Sequence, residues 1–148
     1  MARPETVYKR FTLKAWQGWS ELYEPGIGSG IGYPDVQLMC PSSHRLLPLE
    51  YKVGKVRKGR IFPEEVRPSQ IVWHYKFARA GGVSWVITGV KRPGPENIWD
   101  SYAFDGKRLS DEDWELGFEL NSCFKFGPEH INEDLQRLII NAFGGTLK

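Results

Sequence analysis

The apolar positions of this chain change period several times, and each change predicts an element. Val7, Phe11, Leu13 and Trp16 recur at a loosely helical spacing, which predicts a first helix over "PETVYKRFTLKAWQGW". "SELYEPG" reads as a short extended piece or a turn. Pro34 turns Tyr33 away from helical dihedrals, and "DVQLMC" (35–40) reads as a strand. "PSSH" has turn chemistry, and "RLLPLEYKV" (45–53) reads as a second strand, so the two form a predicted hairpin. Pro48 places that strand at an edge or delays its start, because proline cannot donate to a ladder.

The second half follows the same logic. A basic loop is expected to run to about Pro68. "PSQIVWHYKFARAGG" (68–82) is the best helix, with proline near its start and a Gly-Gly stop. "VSWVITGV" (83–90) is rich in β-branched residues and reads as a strand, and "IWDSYAF" (98–104) alternates like another. "SDEDWELGF" is expected to form a short helix capped by Ser110, and "GPEHINEDLQRLIINAFGG" a final amphipathic helix. This order predicts an α/β (α+β) fold with a central mixed sheet flanked by helices. We expect a single domain over 1–148, with a core at about 5–104 and a C-terminal helical extension at about 110–145.

Composition narrows the class. The chain of 148 residues is 41% hydrophobic and 26% charged, suited to a folded core rather than a disordered or fibrous chain. No apolar run reaches a membrane-spanning length, and "MARPETVYKRF" lacks a signal-peptide centre, so a cytoplasmic protein is expected. Cys40 and Cys123 are read as reduced thiols, and three scattered histidines exclude a histidine-rich metal site. The net charge is +2, but residues 52–60 carry five bases and no acid, while 100–119 is mostly acidic. A local basic stripe can bind phosphates even on a nearly neutral chain.

Alternation through "LPLEYKV" brings in the candidate chemistry. Leu47, Leu49, Tyr51 and Val53 point to one face, and Pro48, Glu50 and Lys52 to the other. Glu50 and Lys52 then stand about 7 Å apart along the strand. If the hairpin pairs as expected, Asp35 approaches the same end. Two carboxylates repel each other, and a hard divalent cation relieves the repulsion. A lysine beside them can orient water or offset charge on a phosphate. This is equipment for phosphodiester hydrolysis.

"YPD" (33–35) followed by "LEYK" (49–52), with fourteen intervening residues between Asp35 and Glu50, resembles the PD-(D/E)XK nuclease superfamily. "RPSQIVWHYKFARAGGVSWVI" resembles the superfamily's next element, a helix with glutamine near its start and then a core strand. The combination looks most like small phage and bacterial nucleases related to Holliday-junction resolvases and the VRR-NUC group. The resemblance covers about 26–90, and the chain beyond Lys91 matches nothing in it. Tyr51 stands where a smaller residue is commoner.

The resemblance implies a restriction-endonuclease-like core and a metal-dependent DNA endonuclease. It implies that Asp35, Glu50 and the Tyr51 backbone carbonyl hold Mg²⁺ or Mn²⁺, that Lys52 assists water, and that Gln70 steadies the arrangement. Glu5 and Glu21 are weak candidates for a further acid on the first helix. Resolvases act as dimers on branched DNA, so a homodimer with structure-selective cutting, in a phage or bacterial host cell, is the analogous expectation. The glycines of "GIGSGIGYPD", among them Gly28, Gly30 and Gly32, would let the sugar-phosphate chain approach the backbone. A nucleotide phosphate loop is excluded, since no G-K-[ST] follows and a strand, not a helix, comes next. Lys55, Arg57, Lys58 and Arg60 are the expected DNA contacts. The alternative is a non-catalytic DNA-binding or interaction module that keeps the fold.

Overall fold

The computed structural model describes residues 3–15, 21–23, 34–39, 46–111, 114–130 and 137. Helix α1 (Pro4–Ala15) leads into a mixed sheet of β1 (Glu21–Tyr23), β2 (Val36–Met39), β3 (Leu46–Arg57), β4 (Arg60–Pro63), β5 (Trp85–Lys91), β6 (Trp99–Asp105), β7 (Phe118–Glu119) and β8 (Phe124–Phe126). Helix α2 (Pro68–Arg79) links β4 to β5, and α3 (Arg108–Asp111) follows β6. The main path runs β1-β2-β3-β5-β6-β8, with β4 paired to β3 and β7 to β4. The β3–β5 pair is parallel, and α2 makes its crossover; the other pairs are antiparallel. The α+β class with a mixed sheet between helices is as expected. No helix among the described residues is long and apolar enough to cross a membrane.

Side-chain alternation splits the core into two layers. Tyr8 of α1 packs with Val36, Leu38, Leu47, Leu49, Tyr51, Ile87 and Ala103 on one face of the sheet. The other face gathers Val86, Tyr102, Phe104, Leu109 and Phe118, with Ile71 of α2 against them. On the α1 face Tyr8 lies directly over Gly89, where a Cβ would meet its ring at 2.5 Å. The Tyr8 hydroxyl bonds Ser101 Oγ at 2.6 Å.

Several expectations need correction. The basic stretch after Val53 is not a loop: β3 continues to Arg57 and returns as β4. Lys58 and Gly59 both take positive φ (50° and 75°), the turn that a two-residue hairpin requires. β3 is central rather than an edge, flanked by β2 and β5. Pro48 is tolerated because the β5 ladder begins only at Leu49, so its missing N–H removes no rung. Ser110 is not a cap. It lies inside α3, and its hydroxyl donates to the Lys107 carbonyl. Residues 114–126 form 3-10 turns and the short strands β7 and β8 in place of the expected helical extension. Tyr75 of α2, although aromatic, is 42% exposed. Gly28, Gly30, Gly32 and Cys40, and most of the expected final helix, lie outside the described residues.

Candidate active site

The antiparallel register of β2 with β3 pairs Val36 with Leu49. One step further along that register sets Asp35 opposite Glu50, and the two carboxylates interact directly. Asp35 is fixed by more than its place at the strand head. Its Oδ2 accepts the Tyr51 N–H at 2.9 Å, standing in for the rung that β2 would supply if it ran one residue longer. Backbone N–H and C=O of one strand residue point to the same side. The Tyr51 carbonyl therefore faces the Asp35 edge. Val53, two residues on, confirms the sense: its carbonyl accepts the Glu64 N–H from the β4 end at 2.9 Å.

Glu50 and Lys52 share a face, as alternation demands, but that face is not open. Helix α2 covers it, leaving Glu50 1% and Lys52 3% exposed. Gln70 reaches down from the first turn of α2, donating through Nε2 to Glu50 Oε1. Its Oε1 accepts the Arg67 N–H at 3.0 Å. One side chain thus caps the helix and holds the carboxylate. Lys52 Nζ lies 3.8 Å from Glu50 Oε1 and donates to the Glu65 carbonyl at 3.0 Å. Glu65 itself takes a positive φ of 56°, an uncommon conformation for a residue other than glycine. No sequence signal marks Glu65, because its role belongs to a backbone carbonyl in a loop. Its side chain pairs with Arg3 at 2.9 Å, tying the start of α1 to the same loop.

The electrostatics are those of crowded acids. Burial, reinforced by the Asp35 charge, pushes the Glu50 carboxyl up to about 9, and Lys52 offsets only part of this. Glu5 on α1 is raised by burial and, further, by Asp35 and Glu65, against the pull of Lys52 and Arg3. Glu5 is thus within electrostatic reach of the pair, whereas the Glu21 side chain lies outside the described ones. Glu50 Oε2 is buried and meets no N–H or O–H donor among the described residues, and the Asp35 carboxyl can hydrogen-bond the Glu50 carboxyl only when one of the two is protonated. A buried acceptor left this way is costly unless something else binds it.

His74, one turn along α2 from Gln70, is fully buried and bonds Ser84 Oγ through Nδ1 at 2.7 Å. Burial, with Lys52 adding to it, lowers its pKa to about 4, so it is neutral near pH 7. A Cβ at Gly106 would meet its Nδ1 at 2.3 Å, which shows how closely the β6–α3 turn seals it.

Asp35, Glu50, Lys52 and Gln70 are therefore brought together. Lys55, Arg57, Lys58 and Arg60 are not at this cluster; they line the β3–β4 hairpin beyond it. Among the described residues no three His, Cys, Asp or Glu side chains converge as a metal cage. The donors at hand are the two carboxylates, with the orphaned Glu50 oxygen, and the Tyr51 carbonyl. That all-oxygen set suits a hard cation that keeps most of its waters. No protein-family model matches the chain, and comparison with curated proteins finds no match.

Proposed function

We propose that this protein is a divalent-metal-dependent deoxyribonuclease that hydrolyses phosphodiester bonds. The observation that carries the reading is the juxtaposition of Asp35 and Glu50 across β2 and β3, with an unpartnered Glu50 oxygen and the Lys52 ammonium beside them. Asp35, Glu50 and the Tyr51 carbonyl would hold Mg²⁺ or Mn²⁺, which would polarise a phosphoryl oxygen and acidify bound water. The chain's own residues do the rest. Gln70 fixes the rotamer of Glu50, so its free oxygen keeps one direction. Lys52, held by the Glu65 carbonyl, supplies a fixed positive charge where negative charge would grow on a phosphate. Burial under α2 keeps bulk water from screening that charge. On this reading the protein acts on DNA inside a bacterial cell, as a homodimer where the substrate is branched.

The test is cleavage of plasmid, single-stranded, flap and four-way DNA by the parent, Asp35→Ala and Glu50→Gln, with Mg²⁺, Mn²⁺ or EDTA. The expected result is metal-dependent cutting by the parent and a loss of at least about 100-fold in each variant. Equal cutting by variants and parent would overturn the site. The second reading, a DNA-binding module that does not cut, draws on the exposed cations of the β3–β4 hairpin, which stand apart from the acids. It is supported if the parent binds these DNAs and cuts none of them.

A further inference from the structure

The catalytic strand does not end at the candidate site. β3 pairs with β5 only as far as Val53, then runs on to Arg57 with β4 as its partner. Lys55, Val56, Arg57 and Lys58 are all exposed along this extension. The register sets Arg57 directly opposite Arg60, with Lys58 in the turn between them. Like charges facing each other across a ladder destabilise it. The acids nearby offset only two of the four cations. Lys55 lies 3.8 Å from Glu64, and Arg60 lies 3.3 Å from Glu119. Among the described residues, Arg57 and Lys58 pair with no carboxylate.

The extension is also braced. The Leu120 N–H donates to the Gly59 carbonyl at 3.0 Å, Arg60 Nη1 donates to the Gly117 carbonyl at 2.9 Å, and β7 pairs with β4. The repulsion at the tip is therefore held in place rather than relieved by movement. Residues 54–60 contain no aromatic residue, and Phe62, the next one along the chain, is half-buried and packs at Gly117. A surface for unpaired bases would need such rings for stacking. Here the charge left over after the two ion pairs is cationic, which suits phosphates.

We infer that the β3–β4 extension is a sequence-independent contact for the backbone of double-stranded DNA, lying to one side of the scissile phosphate. This rests on the proposed site for its origin of measurement. Arg57 lies five residue steps along β3 from Lys52, or about 17 Å of strand at roughly 3.3 Å per residue. At 3.4 Å per base step that is about five base pairs of duplex. With the strand laid along the duplex axis, the substrate carries a duplex arm of at least that length beside the cut.

The experiment uses metal-free protein in EDTA, with fluorescein-labelled 20-base-pair duplex and 20-nucleotide single strand as probes, read by anisotropy across a NaCl titration. The variant is Arg57→Gln/Lys58→Asn, with asparagine chosen because it tolerates the positive φ at the turn; its melting curve checks the fold. We expect duplex to bind more tightly than single strand. We expect the double variant to lose about tenfold in duplex affinity and to lower the salt slope by about two. Shortening one duplex arm below about five base pairs should abolish the difference between parent and variant. An unchanged affinity and slope, or tighter binding of single strand, overturns the inference. Hairpin-dependent duplex binding by a parent that cuts no DNA supports it while sinking the nuclease reading. A parent that cuts, with a variant that binds as the parent does, does the reverse.

Discussion

The two faces of β3 carry adjacent residues into opposite environments. On the α1 side Leu47, Leu49 and Tyr51 are buried among apolar groups, and buried hydroxyls meet partners: Tyr8 with Ser101, and Tyr51 with Thr12. Trp85 Nε1 is the exception there among the described residues. On the α2 side Glu50, Lys52, Gln70, His74 and Thr88 are equally buried, and Glu50 Oε2, His74 Nε2 and Thr88 Oγ1 have no partner among the described residues. Both faces exclude water, but among the described residues the α2 side leaves three polar atoms unsatisfied and the α1 side one. A face built for stability alone gains nothing from such atoms. Packing accounts for the first face; on the second, packing alone leaves three polar atoms unmet.

The sharpest way to break this comparison is one substitution on each face. Leu49→Ala should lower unfolding free energy by about 2–5 kcal/mol while leaving cleavage per folded molecule intact. Glu50→Gln, one residue along, should reduce cleavage by at least about 100-fold yet leave the metal-free protein no less stable near pH 7, and more stable if anything. The direction follows because near pH 7 the folded protein keeps a proton on Glu50 that the unfolded chain releases, a cost that glutamine does not carry. Denaturant melts and a plasmid-cutting assay on both variants read the two quantities. If both substitutions lowered stability alike and spared cutting, the faces would not differ in kind.

The pH dependence of stability sharpens the contrast further, because both perturbed groups lie on the α2 face. Glu50 is raised from 4.5 to about 9, so between these values the folded protein keeps a proton that the unfolded chain releases. Its contribution is full below about pH 4.5 and is lost as pH rises toward 9. His74 is lowered from 6.5 to about 4, so its contribution is full above about 6.5 and is lost as pH falls toward 4. Melts in EDTA should show both declines. Glu50→Gln should flatten the alkaline one, and His74→Asn the acid one. A parent whose stability is level from pH 4 to 9 would contradict both burials.

The smallest expected effects separate the roles of single polar groups. Gln70→Glu keeps an oxygen for the Arg67 N–H but can no longer donate to Glu50. Cleavage should fall about tenfold or more, as for other groups that orient a metal-holding side chain. An unchanged rate would leave Gln70 as a helix cap alone. On the opposite face, Tyr51→Phe deletes the Thr12 hydrogen bond and should cost about 1 kcal/mol of stability with no effect on cleavage.

How far the site was legible follows from which parts of it are local. Asp35, Glu50 and Lys52 could be placed together because period-two alternation fixes faces, and a short hairpin fixes which ends meet. Gln70 carried a signal too, since a glutamine three residues past Arg67 sits where a side chain reaches back over the helix start. Glu65 carried none, because its carbonyl acts through a left-handed backbone conformation that residue identity does not announce. The basic stretch read as a loop because lysine and arginine have weak strand propensity, and only pairing with β4 and β7 makes it a strand.

Sequence alone determined the α+β class, the order of the central elements and the shared face of Glu50 and Lys52, since those depend on periodicity within a few turns or strand steps. Tertiary structure decided that this face is sealed beneath α2, that β3 lies mid-sheet, and that its cationic end projects past the site. Those facts depend on which distant segment covers which surface. That choice is made by packing energy summed over the whole molecule, not by any one stretch of chain.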